Sequence, residues 1–132
     1  PAWLPLPPEE AIAPISALAP HSPDGARWQG ISPFVTTSVV WSLYAFLRAP
    51  RDYLETVCTA IAVGGDVDTT AAMAGAISGA HLGVAALPQE LLPHLNDSGT
   101  WDADDLRELA EECHRIHSRG ARSWLKRVFG RG

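Results

Sequence analysis

The stretch of the chain best equipped for chemistry is Gly64-Gly65-Asp66-Val67-Asp68-Thr69, which sets two carboxylates and a hydroxyl within four residues, directly before an apolar, helix-forming run. Oxygen donors of this kind suit hard divalent cations such as Mg²⁺ or Mn²⁺, which take carboxylate, hydroxyl and water ligands. The same residues suit a helix N-terminus, where an Asp side chain accepts orphan backbone N–H groups and the helix dipole favours its charge. One carboxylate is enough for a cap. The second, beside a glycine pair that permits unusual backbone dihedrals, is what a cation site adds. On spacing alone both readings stand, because Asp-x-Asp recurs by chance.

Two familiar uses of the pattern do not fit. Counting from Asp66, an EF-hand loop needs Gly at its sixth position and Glu at its twelfth, where this chain has Ala71 and Ile77. A haloacid-dehalogenase-like phosphatase needs a strand running into the motif, then a Lys, then an acidic pair. Here Gly64-Gly65 interrupts the approach, and Asp104-Asp105 precedes the only lysine, Lys126.

Other reactive side chains are scattered. Cys113, His114 and His117 lie near Glu111 and Glu112, but sequence neighbours on a helix face apart and histidines three residues apart do not make a site alone, so solvated or boundary histidines are expected. His81 reads as a core or pocket-edge group. Arg115, Arg119, Arg122, Lys126, Arg127 and Arg131 carry six of the ten positive charges, with no acid after Glu112. They read as a surface helix end whose cations complement the dipole, the alternative being an anchor for an acidic partner, nucleic acid or membrane.

The elements that must position the motif are helices. Seven of the eleven prolines fall in the first 23 residues, so residues 1–29 read as a Pro-rich lead-in with at most an interrupted turn or two, over 9–13 and 15–19. Val35, Val39, Leu43 and Leu47 recur at helical spacing and predict a helix over 34–48. A second, opened by Pro50, carries Tyr53, Leu54, Val57, Cys58 and Ile61 and stops at Gly64-Gly65. The segment 70–87 has no charged residue and is rich in Ala and Gly; it predicts a fully buried helix whose Gly75, Gly79 and Gly83 form one close-packing ridge. A membrane span fits it less well, since Ala and Gly are barely hydrophobic, His81 lies within it and two carboxylates stand at its entrance. Residues 96–99 read as a loop and 102–118 as an amphipathic helix with Leu106, Leu109, Cys113 and Ile116 turned inward, followed by a basic tail over 119–132. No segment alternates with period two over a strand's length, so the fold class is all-α.

The chain has 132 residues, 46% of them hydrophobic, which is enough apolar material for one folded unit and excludes an intrinsically disordered class. Its net charge of −5 divides unevenly: residues 1–114 hold four basic and fifteen acidic groups, and 115–132 hold six basic and none acidic. Two cysteines, Cys58 and Cys113, are too few for a disulfide framework and read as small apolar helix residues in a reducing, cytoplasmic setting. The start, Pro1 to Pro8, has neither the basic opening nor the apolar run of a signal peptide, and it lacks an initiator Met, so either the native start is processed away or the chain is a piece of a longer protein, as the run of prolines suggests.

The longer string from Gly64 to Thr69, continued by Ala71-Ala72-Met73-Ala74-Gly75-Ala76-Ile77-Ser78-Gly79-Ala80-His81-Leu82-Gly83, resembles the second metal motif of ADP-ribosylglycohydrolases of the dinitrogenase-reductase-activating and ADP-ribosylarginine-hydrolase types. Residues 30–48 (GISPFVTTSVVWSLYAFLR) resemble the glycine turn and helix that precede that motif, so the likeness covers a family-like core over 30–95. It implies an orthogonal all-α bundle, incomplete in this chain. It also implies a site for two divalent cations, Mg²⁺ or Mn²⁺, with Asp66, Asp68 and Thr69 among the ligands and Asp68 as the bridge. The ions would hold the distal ribose hydroxyls of an ADP-ribose unit and orient water at its anomeric carbon. Gly30, Ile31 and Phe34 become substrate-binding candidates, and the substrate an ADP-ribosylated protein or an ADP-ribose-containing small molecule. The family's general acid and its Thr-Asp-Asp motif lie in an N-terminal half with no counterpart here, so that half is the expected partner, and neither a membrane span nor nucleic acid is expected. Val67 stands where the family most often has Thr. The alternative function is a non-catalytic helical binding or structural module of the same fold.

Overall fold

The computed structural model describes residues 1–19 and 29–129, with side chains described as far as residue 120. It is all-α: among the described residues five α-helices and two short 3₁₀ turns occur and no strand. The chain divides into two compact units, Pro1–Leu87 and Pro88–Gly132.

The first unit contains α1 (Pro8–Ser16), α2 (Val35–Arg48), α3 (Tyr53–Ile61) and α4 (Val67–Leu82). Helix α1 is longer than the proline content suggested. Pro8 occupies the first turn, where its fixed φ fits and no N–H is needed, and Pro14 sits near the C-terminal end, where it removes only one late hydrogen bond. Burial of Ala11 and Ile15 offsets that loss: with Ile31, Trp41 and Tyr44 they form the larger core cluster. The Tyr44 ring stacks on Trp41 at 4.8 Å and meets Trp3 edge-on at 6.1 Å. The Tyr44 hydroxyl and the Arg48 guanidinium both donate to the Leu6 carbonyl at 2.7 Å, tying the lead-in to α2.

Helix α2 buries an unexpected face. Its inward residues are Thr37, Ser38, Trp41, Ser42, Tyr44 and Ala45, whereas Val35 (67%), Val39 (37%), Leu43 (41%) and Leu47 (48%) stand exposed. Buried hydroxyls are tolerable only where they find acceptors. Thr37 donates to the Phe34 carbonyl at 2.8 Å and Ser38 to the Ser32 carbonyl at 3.0 Å. Helix α3 begins at Tyr53 instead of Pro50, because Asp52 caps it: the Asp52 carboxylate accepts the Glu55 N–H at 2.9 Å. Ala45, Ala60 and Ala74 form a second cluster where α2, α3 and α4 meet on small side chains.

Helix α4 departs from expectation at both ends. It starts at Val67, so Asp68 and Thr69 lie in its first turn, and it stops at Leu82 because Gly83 turns to φ +81°. Only Thr70, Ala74, Gly75 and Ser78 are buried, so the predicted fully buried helix is in fact one-sided. The glycine ridge does receive a neighbour: a methyl added at Gly75 would lie 3.1 Å from the Tyr53 hydroxyl. His81 is exposed and meets the Phe46 ring edge-on at 5.4 Å. Cys58 is also exposed and unpaired rather than an inward apolar residue.

In the second unit α5 (Ala103–Phe129) follows a loop closed by an Asn96–Asp102 bridge. A capping box starts the helix: the Asp102 carboxylate accepts the Asp104 and Asp105 N–H groups at 2.8 and 3.1 Å, and the Asp105 carboxylate accepts the Asp102 N–H at 3.0 Å. These bonds hold the Asp102 carboxyl below the usual carboxylate range, the Asp105 and Asp104 N–H groups acting first. The predicted inward stripe is exposed: Leu106 43%, Leu109 48% and Ile116 60%, with Cys113. The backbone continues helical past residue 118 to Phe129; of the basic tail over 119–132, the side chains beyond residue 120 lie outside the described residues.

Candidate metal centre

The motif occupies the junction of a glycine turn and the start of α4. Gly64 and Gly65 adopt φ +73° and +92°, and Gly30 adopts φ +86°. These glycines let two backbone segments cross in contact. The Ile31 N–H donates to the Gly64 carbonyl at 3.1 Å and the Asp66 N–H donates to the Ile31 carbonyl at 2.8 Å, a two-bond parallel bridge. A Cβ at Gly30 would collide with the Gly64 carbonyl group, and one at Gly65 with the Ile31 backbone, so only glycine permits the crossing.

Asp66 then takes the position before the helix with φ −81° and ψ 63°, and its side chain makes no capping hydrogen bond. Capping therefore does not account for this carboxylate. The Asp68 carboxyl is held below the usual carboxylate range, chiefly by the neighbouring Asp66 side chain and then by the Thr69 and Asp68 N–H groups. The two carboxyl groups thus lie beside each other at a helix N-terminus. Asp66 is partly buried, whereas Asp68 and Thr69 are exposed. Their hard oxygen donors fit a divalent cation as part of a ligand set. Among the described residues there is no cluster of three or more His, Cys, Asp or Glu side chains able to hold an ion, so the fit is that of a partial site.

The three substrate-binding candidates divide. Gly30 and Ile31 lie against the motif through the backbone bridge, but the Ile31 side chain is fully buried in the core. Phe34 is the residue before α2 and is 40% exposed. The close crossing at Gly65 was not foreseen from the sequence, where the glycine pair reads as a helix stop; the signal available was a third glycine, Gly30, opening the other turn. A cavity of 340 Å³ in the second unit is lined by Leu95, Asn96, Asp97, Trp101, Leu106 and Leu109, with none of the motif residues in its wall. Among the described residues no helix is long and apolar enough to cross a membrane.

Comparison with known proteins bears on this geometry. The profile of the ADP-ribosylglycohydrolase family matches residues 5–123. The chain is 47% identical over 80 residues to the "ADP-ribosylhydrolase ARH3" of Danio rerio, covering 54% of this chain and 20% of that protein. It is 39% identical over 97 residues to the Mus musculus protein of the same name, covering 66% and 24%, and 36% identical over 93 residues to that of Xenopus tropicalis, covering 61% and 26%. The chain thus spans a fifth to a quarter of the length of these curated relatives. No solved structure matches it. With the family profile extending over most of the chain, this protein belongs to the ADP-ribosylglycohydrolase family.

Proposed function

We propose that this chain is the metal-motif portion of a divalent-metal-dependent ADP-ribosyl hydrolase, cleaving the glycosidic bond that joins ADP-ribose to a protein side chain or a small molecule. The observation that carries the reading is Asp66: a carboxylate at a helix N-terminus that makes no capping bond, two residues from a second carboxylate, Asp68, in the first turn. Asp66, Asp68 and Thr69 would supply part of the coordination of two ions, Mg²⁺ or Mn²⁺. Such ions, when bound, polarise ligands and lower the pKa of coordinated water. This chain's own contribution is the bridge between Ile31 and Asp66, which holds the ligand-bearing turn against the 30–34 turn.

The remaining ligands, and the carboxylic acid that protonates the leaving group in glycoside cleavage, are assigned to polypeptide beyond these residues. That agrees with the fraction of the relatives' length that the chain spans. The exposed, unpaired Cys58 and Cys113 are consistent with a reducing, cytoplasmic setting.

The test is release of ADP-ribose, with and without Mn²⁺ or Mg²⁺, by the longest natural polypeptide that contains this chain. Metal-dependent release that Asp68→Ala abolishes is expected. Unchanged release in Asp68→Ala removes the assignment of the metal to this motif and favours a structural role for the fold.

A further inference from the structure

Behind the motif lies a circuit of buried hydroxyl groups. Thr70 (1% exposed), Ser42 (0%) and Ser38 (2%) face one another across α2 and α4. The Asp66 carbonyl accepts the Thr70 N–H at 3.1 Å and is also the nearest acceptor of the Thr70 hydroxyl, at 3.1 Å. The Thr70 hydroxyl additionally lies 3.3 Å from the Ala60 carbonyl, which accepts the Trp41 indole N–H at 2.9 Å. The Thr70 carbonyl in turn faces the Ser42 hydroxyl at 3.2 Å; that hydroxyl's single proton is shared with the Ser38 carbonyl at 2.8 Å. The Ser38 hydroxyl donates to the Ser32 carbonyl, next to Ile31, whose own carbonyl accepts the Asp66 N–H. The circuit closes on the residue where it began.

Ser and Thr hydroxyls commonly bond the carbonyl four residues back in their own helix, and that habit explains Thr70 to Asp66 and Ser42 to Ser38. It does not explain the two longer contacts that cross between helices, in which the same two protons are shared: Ser42 with the Thr70 carbonyl and Thr70 with the Ala60 carbonyl. Both hold Thr70, whose N–H and hydroxyl meet the Asp66 carbonyl while the Ile31 carbonyl holds the Asp66 N–H, so the Asp66 peptide groups are gripped on both sides. A backbone fixed on both sides fixes the direction in which the side chain leaves it.

We propose that Thr70 and Ser42 are positioning residues for the metal motif, aiming the Asp66 carboxylate at the cation from behind the site; this rests on the cation reading of Asp66 and Asp68 given above. Residues that orient metal ligands without touching the metal commonly change its affinity about 10- to 100-fold when replaced.

The experiment titrates Mn²⁺ by calorimetry into the longest natural polypeptide containing the chain, and measures hydrogen exchange of the Asp66 amide in the metal-free protein. Thr70→Val keeps the shape and removes the hydroxyl; Thr70→Ser keeps the hydroxyl; Ser42→Ala removes the helix-to-helix bond. Thr56→Val is the control, since Thr56 is fully buried and bonds the Asp52 carbonyl four residues back at 2.8 Å, away from the motif. Thr70→Val should weaken Mn²⁺ binding about 10-fold or more and speed Asp66 exchange, with Thr70→Ser close to wild type. Ser42→Ala should shift both in the same direction, and Thr56→Val should lower stability while leaving both unchanged.

Wild-type Mn²⁺ affinity in Thr70→Val and Ser42→Ala overturns the proposal, as does an equal loss in Thr56→Val. If Thr70→Val does not fold, Ser42→Ala set against Thr56→Val decides. Asp68→Ala separates the two levels: wild-type affinity in that variant removes the cation reading and the proposal with it, whereas lost affinity there with intact affinity in Thr70→Val removes the positioning role alone.

Discussion

The Ile31 carbonyl accepts the Asp66 amide N–H at 2.8 Å, so the turn that opens α2 and the turn that opens α4 are one backbone assembly. With the reciprocal Ile31 N–H to Gly64 carbonyl bond, this ties the motif to the turn at residues 30–34 through main-chain atoms. Side-chain chemistry at Asp66 and Asp68 is therefore built on a frame that only glycine can form at Gly30 and Gly65.

Gly65→Ala should cost at least about 2 kcal/mol, because a left-handed φ disfavours any Cβ and the added methyl meets the Ile31 backbone. The denaturant midpoint measures it. Gly64→Ala, at φ +73° but with open space around the added Cβ, should cost clearly less.

Trp41→Phe should lower stability by roughly 2–3 kcal/mol. It removes the donor to the Ala60 carbonyl, leaves that buried acceptor with a poorer partner, and opens a gap beside Tyr44. Thermal unfolding of the variant, with far-UV circular dichroism to confirm the helices, is the measurement.

Ser78→Ala should be neutral or stabilising by about 1 kcal/mol, since the buried Ser78 hydroxyl on α4 has no hydrogen-bond partner among the described residues and its removal relieves an unsatisfied group. A melting temperature well below wild type would count against the packing described for that face of α4.

The start of α5 should loosen in acid. The Asp102 carboxyl is lowered from its ordinary value, so its contribution is present above the usual Asp range and is lost as pH falls through the lowered value. Protection of the Asp104 and Asp105 amides against exchange, relative to the unstructured chain at the same pH and followed downward from neutral, should fall in that window, and Asp102→Asn should flatten the dependence.

Most of the helical framework was legible because it depends on local signals. Asp-rich starts, glycine stops and apolar periodicity gave α2, α3 and the beginning of α5 close to where they lie. Helix α1 was underestimated because proline content penalises a helix interior but not its first turn, and because Ala11 and Ile15 gain burial from distant residues. The inward face of α5 was the larger misjudgement. An apolar stripe at helical spacing shows that a face exists but not what lies against it, and on α2 the inward face is carried by Trp41, Tyr44 and hydroxyls that no hydropathy pattern selects. At the site, the residue types of Asp66, Asp68 and Thr69 were readable. The crossing with Ile31 was not, since it joins segments far apart in the sequence.

That separation has a consequence for how the protein is made. The Asp66 amide can meet the Ile31 carbonyl only after α2 and α3 have folded back on each other, closing a loop of 35 residues. Loop closure must be met in entropy before the contact returns anything. The carboxylates of the motif are thus placed by a contact that spans 35 residues of chain, so their placement depends on α2 and α3 as much as on the motif's own sequence.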